Sequence, residues 1–442
     1  MVVGIQGLPR AWWDLLARMR RLSIPLGFQA LTDQGQQRQA HQEPAAPPAE
    51  RPAPAAPWGA LAASEQHWPW WPLLPLYPYG RRRTLVRELI PDQLWSFEQL
   101  QGVFYVAVPI RMTVARVRGG LMLYAPVAPT AEVRRQLRDL EERHGPVLSI
   151  VLPTASGLEH KLPVPAMARA FPEAEVWVTP GQWSFPLRLP LAWLGFPRRR
   201  LRVLAEQGYP HADVLAWQSL GPLDLGLGLF HELTCLHRPS GALLLTDALV
   251  AINQDPPELF DADPTPLLFH ARERGDEPMR DTPEARRRGW QRLALFASFL
   301  RPEALQVPPL PQLVAQAFQP GCRQARAYFG LYPFHWRASS ELAFASLTGQ
   351  LQVAPVLERL VFPRAREVVL RWLEQVASLQ DLRWVVPAHY AAPVPTSADQ
   401  IQAIAADIRT RPWAPRQGNW EYLARLDDLL LNLGVVPGNP NG

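Results

Sequence analysis

Cysteine is nearly missing from this chain: Cys235 and Cys322 are the only two in 442 residues. Two thiols cannot build a disulfide framework or a cysteine-rich zinc site, so a reducing compartment is expected. No apolar run reaches about 18 residues, so the sequence offers no spanning helix. The N-terminus has no apolar stretch leading into a small-residue cleavage site, and no secretory leader is expected. RNA-binding, zinc-finger and long basic-arm patterns are absent and the net charge is only +5, so no nucleic-acid partner is expected. A G-x-S-x-G elbow, a phosphate loop and a dinucleotide fingerprint are also missing. What remains is a chain with 48% apolar residues, enough for a large core, and 49 prolines concentrated near the N-terminus. That proline content is about twice the usual share.

Residues 1–31 hold an amphipathic segment. Pro9 suits a first helical position, and Trp12, Leu15, Leu16 and Met19 share one face of a helix over 9–22 with Arg10, Arg18, Arg20 and Arg21 nearby. Such a face fits either an anionic membrane surface or the main domain. Residues 32–66 are rich in Gln, Ala and Pro and read as a disordered linker. Residues 67–83 carry Trp68, Trp70, Trp71, Tyr77 and Tyr79 among prolines and end in Arg81-Arg82-Arg83. Proline at that density excludes a helix. The arm lays its aromatics either over the domain or at a bilayer interface.

A compact domain is expected over 84–395. Strands are expected at Leu94–Phe97, Val103–Val108, Met112–Val117 and Leu121–Tyr124, with a turn at Gly119-Gly120. A helix opens at Thr130, which can cap it, and Val133, Leu137 and Leu140 line one face. Gly145-Pro146 stops it. Further on come a helix over 164–170, a strand at 174–178, and a hairpin of 230–237 and 242–247. The Asp- and Pro-rich run 253–283 reads as an insertion or a long loop. Helices follow at 286–300 and 367–379, then a strand over 382–386, and a helical pair in the extension 396–442.

The organising stretch is Val147-Leu148-Ser149-Ile150-Val151-Leu152-Pro153-Thr154-Ala155-Ser156-Gly157-Leu158-Glu159-His160. A β-branched, apolar run passes into a small-residue loop and ends on two metal- or proton-binding side chains. Laid on the metallo-β-lactamase motif T-H-x-H-x-D-H, it matches at Thr154, at Glu159 for the acid and at His160 for the last histidine. Ala155 and Gly157 stand where the first two histidines would be. Leu382–Val386 leads into Pro387-Ala388-His389, similar to that family's final P-x-H. The hairpin resembles its histidine-and-aspartate hairpin, with His231 (or His237) and Asp247 in those places. Ala125-Pro126-Val127 occupies the place of an early acidic turn and carries no acid. The chain also resembles a cyanobacterial and plastid family with a metallo-β-lactamase-like domain. The segments that carry this likeness run from Tyr124 to Thr130, from Leu152 to His160, from Gly181 to Pro186 and from Leu245 to Asp247.

The resemblance implies an α/β fold, an αββα sandwich, and a metal centre built from Glu159, His160, His231, Asp247 and His389. That set is too small for two tight sites and suits one Zn, Fe or Mn ion. Two functions follow from it. One is a silent fold used as a binding or assembly factor, with a protein or an anionic membrane surface as partner. The resemblance implies a cytoplasmic chain, peripheral on the thylakoid membrane. The other is a mononuclear metal-dependent hydrolase or oxidoreductase acting on a small molecule.

Overall fold

The computed structural model describes residues 61–68, 76–77, 80–103, 105–183, 189–226, 228–319, 332–410 and 415–438. The amphipathic segment 9–22, most of the linker and Cys322 lie outside them. An eight-stranded sheet is built in the order Leu76–Tyr77, Leu94–Val103, Val106–Val117, Gly120–Tyr124, Val147–Leu152, Glu175–Val178 and Leu201–Val203, with Leu85–Ile90 also paired to Leu94–Val103. Its first strands are antiparallel hairpins, and from Gly120–Tyr124 onward the pairing is parallel. A second sheet runs Val394–Pro395, Trp384–Val386, Ala242–Leu244, Leu229–His237, Leu215–Asp224.

Side-chain alternation assigns the four layers. Ala115, Val117, Met122, Tyr124 and Val151 of the first sheet share one buried cluster with Leu233, Cys235, Leu244 and Val386 of the second. The outer face of the first sheet, with Met112, Leu121, Leu123 and Ile150, packs on Val133, Leu137 and Leu140 of the helix Ala131–His144. The outer face of the second, with Leu236, Leu243 and Val385, packs on the helices Arg366–Ala377 and Ala398–Thr410 through Trp372, Leu373, Val376, Ile401 and Ile408. The result is the expected αββα sandwich. The helix at 131–144 forms as its caps dictate: Thr130 Oγ1 accepts from Val133 N, and Gly145 leaves the helix at φ 93°.

Three expectations need correction. Val103–Val108 is not one strand, because Val103 pairs with Val106 and the chain reverses between them. The run 253–283 is not all loop: it contains a 3-10 turn Glu258–Asp261 and the helix Thr265–Ala271, in which Phe269 and His270 are buried. Burial of that apolar face outweighs the local Pro and Asp signals. The linker also ends earlier than expected. The carbonyl of Glu65 accepts from Glu132 N at 3.2 Å, one of the N–H groups a helix start leaves without a partner. Farther on, Tyr77 of the arm is buried, bonded to Asp263 and edge-on to Tyr105. Among the described residues no helix is long and apolar enough to cross a membrane.

Candidate metal centre

The strand Val147–Leu152 delivers its loop to the edge between the two sheets, where several short-range bonds fix it. Ala155 N donates to His231 O at 2.9 Å, and Gly157 N donates to Thr154 Oγ1 at 3.3 Å. Lys161 Nζ donates to Ala155 O at 2.9 Å and to Trp183 O at 2.5 Å. The short helix Leu158–Lys161 then turns His160 fully inward. Its Nδ1 lies 3.1 Å from Pro126 O. A carbonyl can only accept, so Nδ1 carries the proton and Nε2 presents a lone pair. That Nε2 is buried and has no hydrogen-bond partner among the described residues. The Ala125-Pro126-Val127 turn brings no acid, but its proline carbonyl orients this imidazole.

His389 is held the same way from the other sheet. Its Nδ1 faces Pro109 O at 3.1 Å, and its backbone bridges to Ile110. Its Nε2 is 3.2 Å from Asp247 Oδ1. The loop carrying it is clamped by Arg111, only 1% exposed, which donates to Pro387 O, to Tyr390 O at 2.5 Å and to Glu98 Oε1 at 3.0 Å. Ligand atoms of Glu159, His160 and His389 all lie within 4.8 Å of one another, and Asp247 joins them through His389. Burial holds the His160 imidazole below its ordinary pKa, toward the neutral form. For Asp247 burial acts upward, but the hydrogen bond and charge of His389 outweigh it and hold the carboxyl low. His389 is raised: burial opposes its charge, and the bond to Asp247 prevails.

The structure does not bring His231 into this group. A register shift between Phe230 and Glu232 turns the strand, and His231 Nε2 sits 2.9 Å from Ser219 Oγ. His237 is not there either; it is buried between Ser240 Oγ and Arg116 O, each 2.8 Å away. The side chain that does reach the Asp247 loop is Glu232. Its oxygens accept from Thr246 N (2.5 Å), Asp247 N (3.3 Å) and Ala248 N (3.0 Å). Burial and the Asp247 charge push the Glu232 carboxyl up to about 7 against those N–H bonds. Glu232 is the one acid in the strand Leu229–His237, and that was the sequence signal for it.

The loop is closely packed around Gly157. A Cβ on Gly157 would sit 2.6 Å from Glu159 Oε1 and 3.1 Å from Thr154 Cγ2. The Glu159 carboxylate therefore folds back over the glycine, leaving no room for a side chain at 157. A cleft of about 330 Å³ is lined by Arg87, Glu98, Asn253, Glu258 and Tyr390, among others, and by none of the four residues Glu159, His160, Asp247 and His389.

The chain is similar to the DIM-1 metallo-β-lactamase, at 7% identity over 73% of this chain and 97% of that one, with a TM-score of 0.33. A metallo-β-lactamase from Pontibacter korlensis gives 12% identity over 74% and 100%, with a TM-score of 0.32. A variant flavo di-iron protein from Thermotoga maritima gives 8% identity over 74% and 62%, with a TM-score of 0.36. The αββα assignment rests on the layer order of this chain rather than on these scores. A search of curated proteins finds no match. The profile described as a domain of unknown function, DUF4336, matches residues 91–406. With well over half of its length matched, the chain belongs to the DUF4336 family.

Proposed function

We propose that this chain is a single-metal protein acting on a small molecule, with hydrolysis the reaction its donors suit best. The ligands would be His160 Nε2, His389 Nε2 and the carboxylates of Glu159 and Asp247. The observation that carries the reading is the His160 ring. Nδ1 is committed to a backbone carbonyl while a buried Nε2 has no partner among the described residues, the arrangement metal-ligating histidines adopt. An isolated buried acceptor of this kind costs about 1–3 kcal/mol, and an ion removes that cost. A divalent ion held there supplies a water of lowered pKa and a charge that polarises a substrate oxygen. The protein residues do the orienting: Pro126 and Pro109 aim the imidazoles, and Arg111 holds the His389 loop.

Zn, Fe and Mn all suit two imidazoles and two carboxylates. The protein purified without chelator should contain one such ion per chain, lost in His160→Ala and in His389→Ala. Absence of metal after reloading the stripped protein sinks this reading. A second reading, a silent fold used in binding or assembly, draws support from Ala155 and Gly157, which offer no donor. It predicts a stably folded protein that takes up no ion, so the same assay separates the two.

A further inference from the structure

We propose that Glu232 is the positioning residue of this centre, the group that sets Asp247 for metal capture before any ion arrives. The inference rests on the single-metal reading above. Three consecutive backbone N–H groups, of Thr246, Asp247 and Ala248, converge on one carboxylate. Consecutive N–H groups facing one point form an anion-binding nest. Here the anion comes from the neighbouring strand Leu229–His237 and is completely buried. The backbone of Glu232 is also bridged to Thr154, so the same residue joins the Asp247 loop to the first loop of the site.

Placing a buried acid beside Asp247 is electrostatically unfavourable, because two like charges share a region of low dielectric. Geometric need explains why it is there. Asp247 follows directly on the strand Ala242–Leu244 and Leu245-Thr246, and a free loop end would let its carboxylate swing out to solvent. With its own N–H and both neighbours' fixed, the Asp247 side chain is left facing His389 at 3.2 Å. A cation bound there would also offset the paired negative charge, so the acid both shapes the centre and adds to its attraction for a cation.

The test uses full-length protein stripped of metal, with Co²⁺ as the probe. Glu232→Gln keeps the size but sets an amide NH₂ against at least one N–H; its thermal melt, with that of His160→Ala, controls for folding. The wild type should bind one Co²⁺, and Glu232→Gln should bind roughly 10–100-fold more weakly, the usual effect of losing a residue behind a ligand. Its visible d–d spectrum should change, which a merely structural role would not cause. Amide exchange at 246–248 in the metal-free protein should be faster than in the wild type. Equal affinity with an unchanged spectrum overturns the proposal while leaving the metal reading intact. If the wild type binds no Co²⁺, the metal reading fails, and unchanged exchange at 246–248 would then overturn the positioning role as well.

Discussion

Arg111→Met should be among the most damaging single changes in this protein, and the reason can be worked from its surroundings. The guanidinium is 1% exposed and bonds to Glu98, Pro387 O and Tyr390 O. Methionine fills most of the volume, so the loss is electrostatic rather than steric. Glu98 is left buried with Arg87, at 2.5 Å and with its side chain 39% exposed, as its remaining ion-pair partner among the described residues. Removing one member of a buried ion pair costs about 3–5 kcal/mol, and each carbonyl left without a donor adds about 1–3 kcal/mol. Arg87 offsets part of the first cost and water reaching the 387–390 loop part of the second. A net loss of about 4 kcal/mol is expected, a large part of a typical domain's stability. Urea unfolding followed by tryptophan fluorescence measures it. Metal titration of the folded variant should show an affinity loss of roughly 10–100-fold, because the clamped loop presents His389. The double variant with Glu98→Gln should lose less than the sum of the single losses, since each partner's removal strands the other. A loss under about 1 kcal/mol with unchanged metal affinity would refute the reasoning.

Other outcomes follow from other parts of the structure. Asp427 is buried between Arg359, at 2.5 Å, and Arg364, so Asp427→Ala should cost about 3–5 kcal/mol and make the helix Glu421–Asn432 more readily cut in limited proteolysis than it is in the wild type. Burial holds His270 at a pKa of about 3, so it stays neutral when folded and titrates near 6.5 when unfolded. Its contribution is fully present above that unfolded value and fades as pH falls. Lowering the pH from 7 to 5 should therefore cost about 2 kcal/mol through this residue alone, and His270→Gln should lose less stability than the wild type over the same interval in urea titrations. For the N-terminal segment, flotation with anionic liposomes at low salt should retain the full chain and release a chain lacking residues 1–30, each basic residue near the surface contributing about 1 kcal/mol. Equal binding by both, or by neither, removes the membrane reading.

The fold was legible where pattern and packing agree. The strand and small-residue loop over Val147–His160 read directly from the sequence, whereas the short helix Leu158–Lys161 did not, and Thr130 with Gly145 marked its helix correctly. The strand Trp384–Val386 ending in Pro-x-His was equally plain. What escaped was set by contacts rather than by local sequence. A register shift at Phe230/Glu232 decides that Glu232, and not His231, reaches the Asp247 loop, and no single strand pattern shows a bulge. The strand Leu215–Asp224 contains Gly221 and Pro222 and went unread. Its place at the sheet edge is what lets it keep a proline. The helix Thr265–Ala271 is hidden by flanking prolines and forms because Leu267 and Phe269 are buried. Glu for Asp at 159 reads as a defect in sequence, yet in space it fills the room that Gly157 leaves.

X-ray absorption at the metal edge of the reloaded protein tests the central claim most directly. The single-ion centre predicts a first shell of nitrogen and oxygen only, with outer-shell scattering from two imidazoles that falls to one in His160→Ala. It predicts no metal–metal vector. A vector at about 3.5–4 Å, the spacing of two-metal sites, or a first shell without histidine in the wild type, would contradict the account.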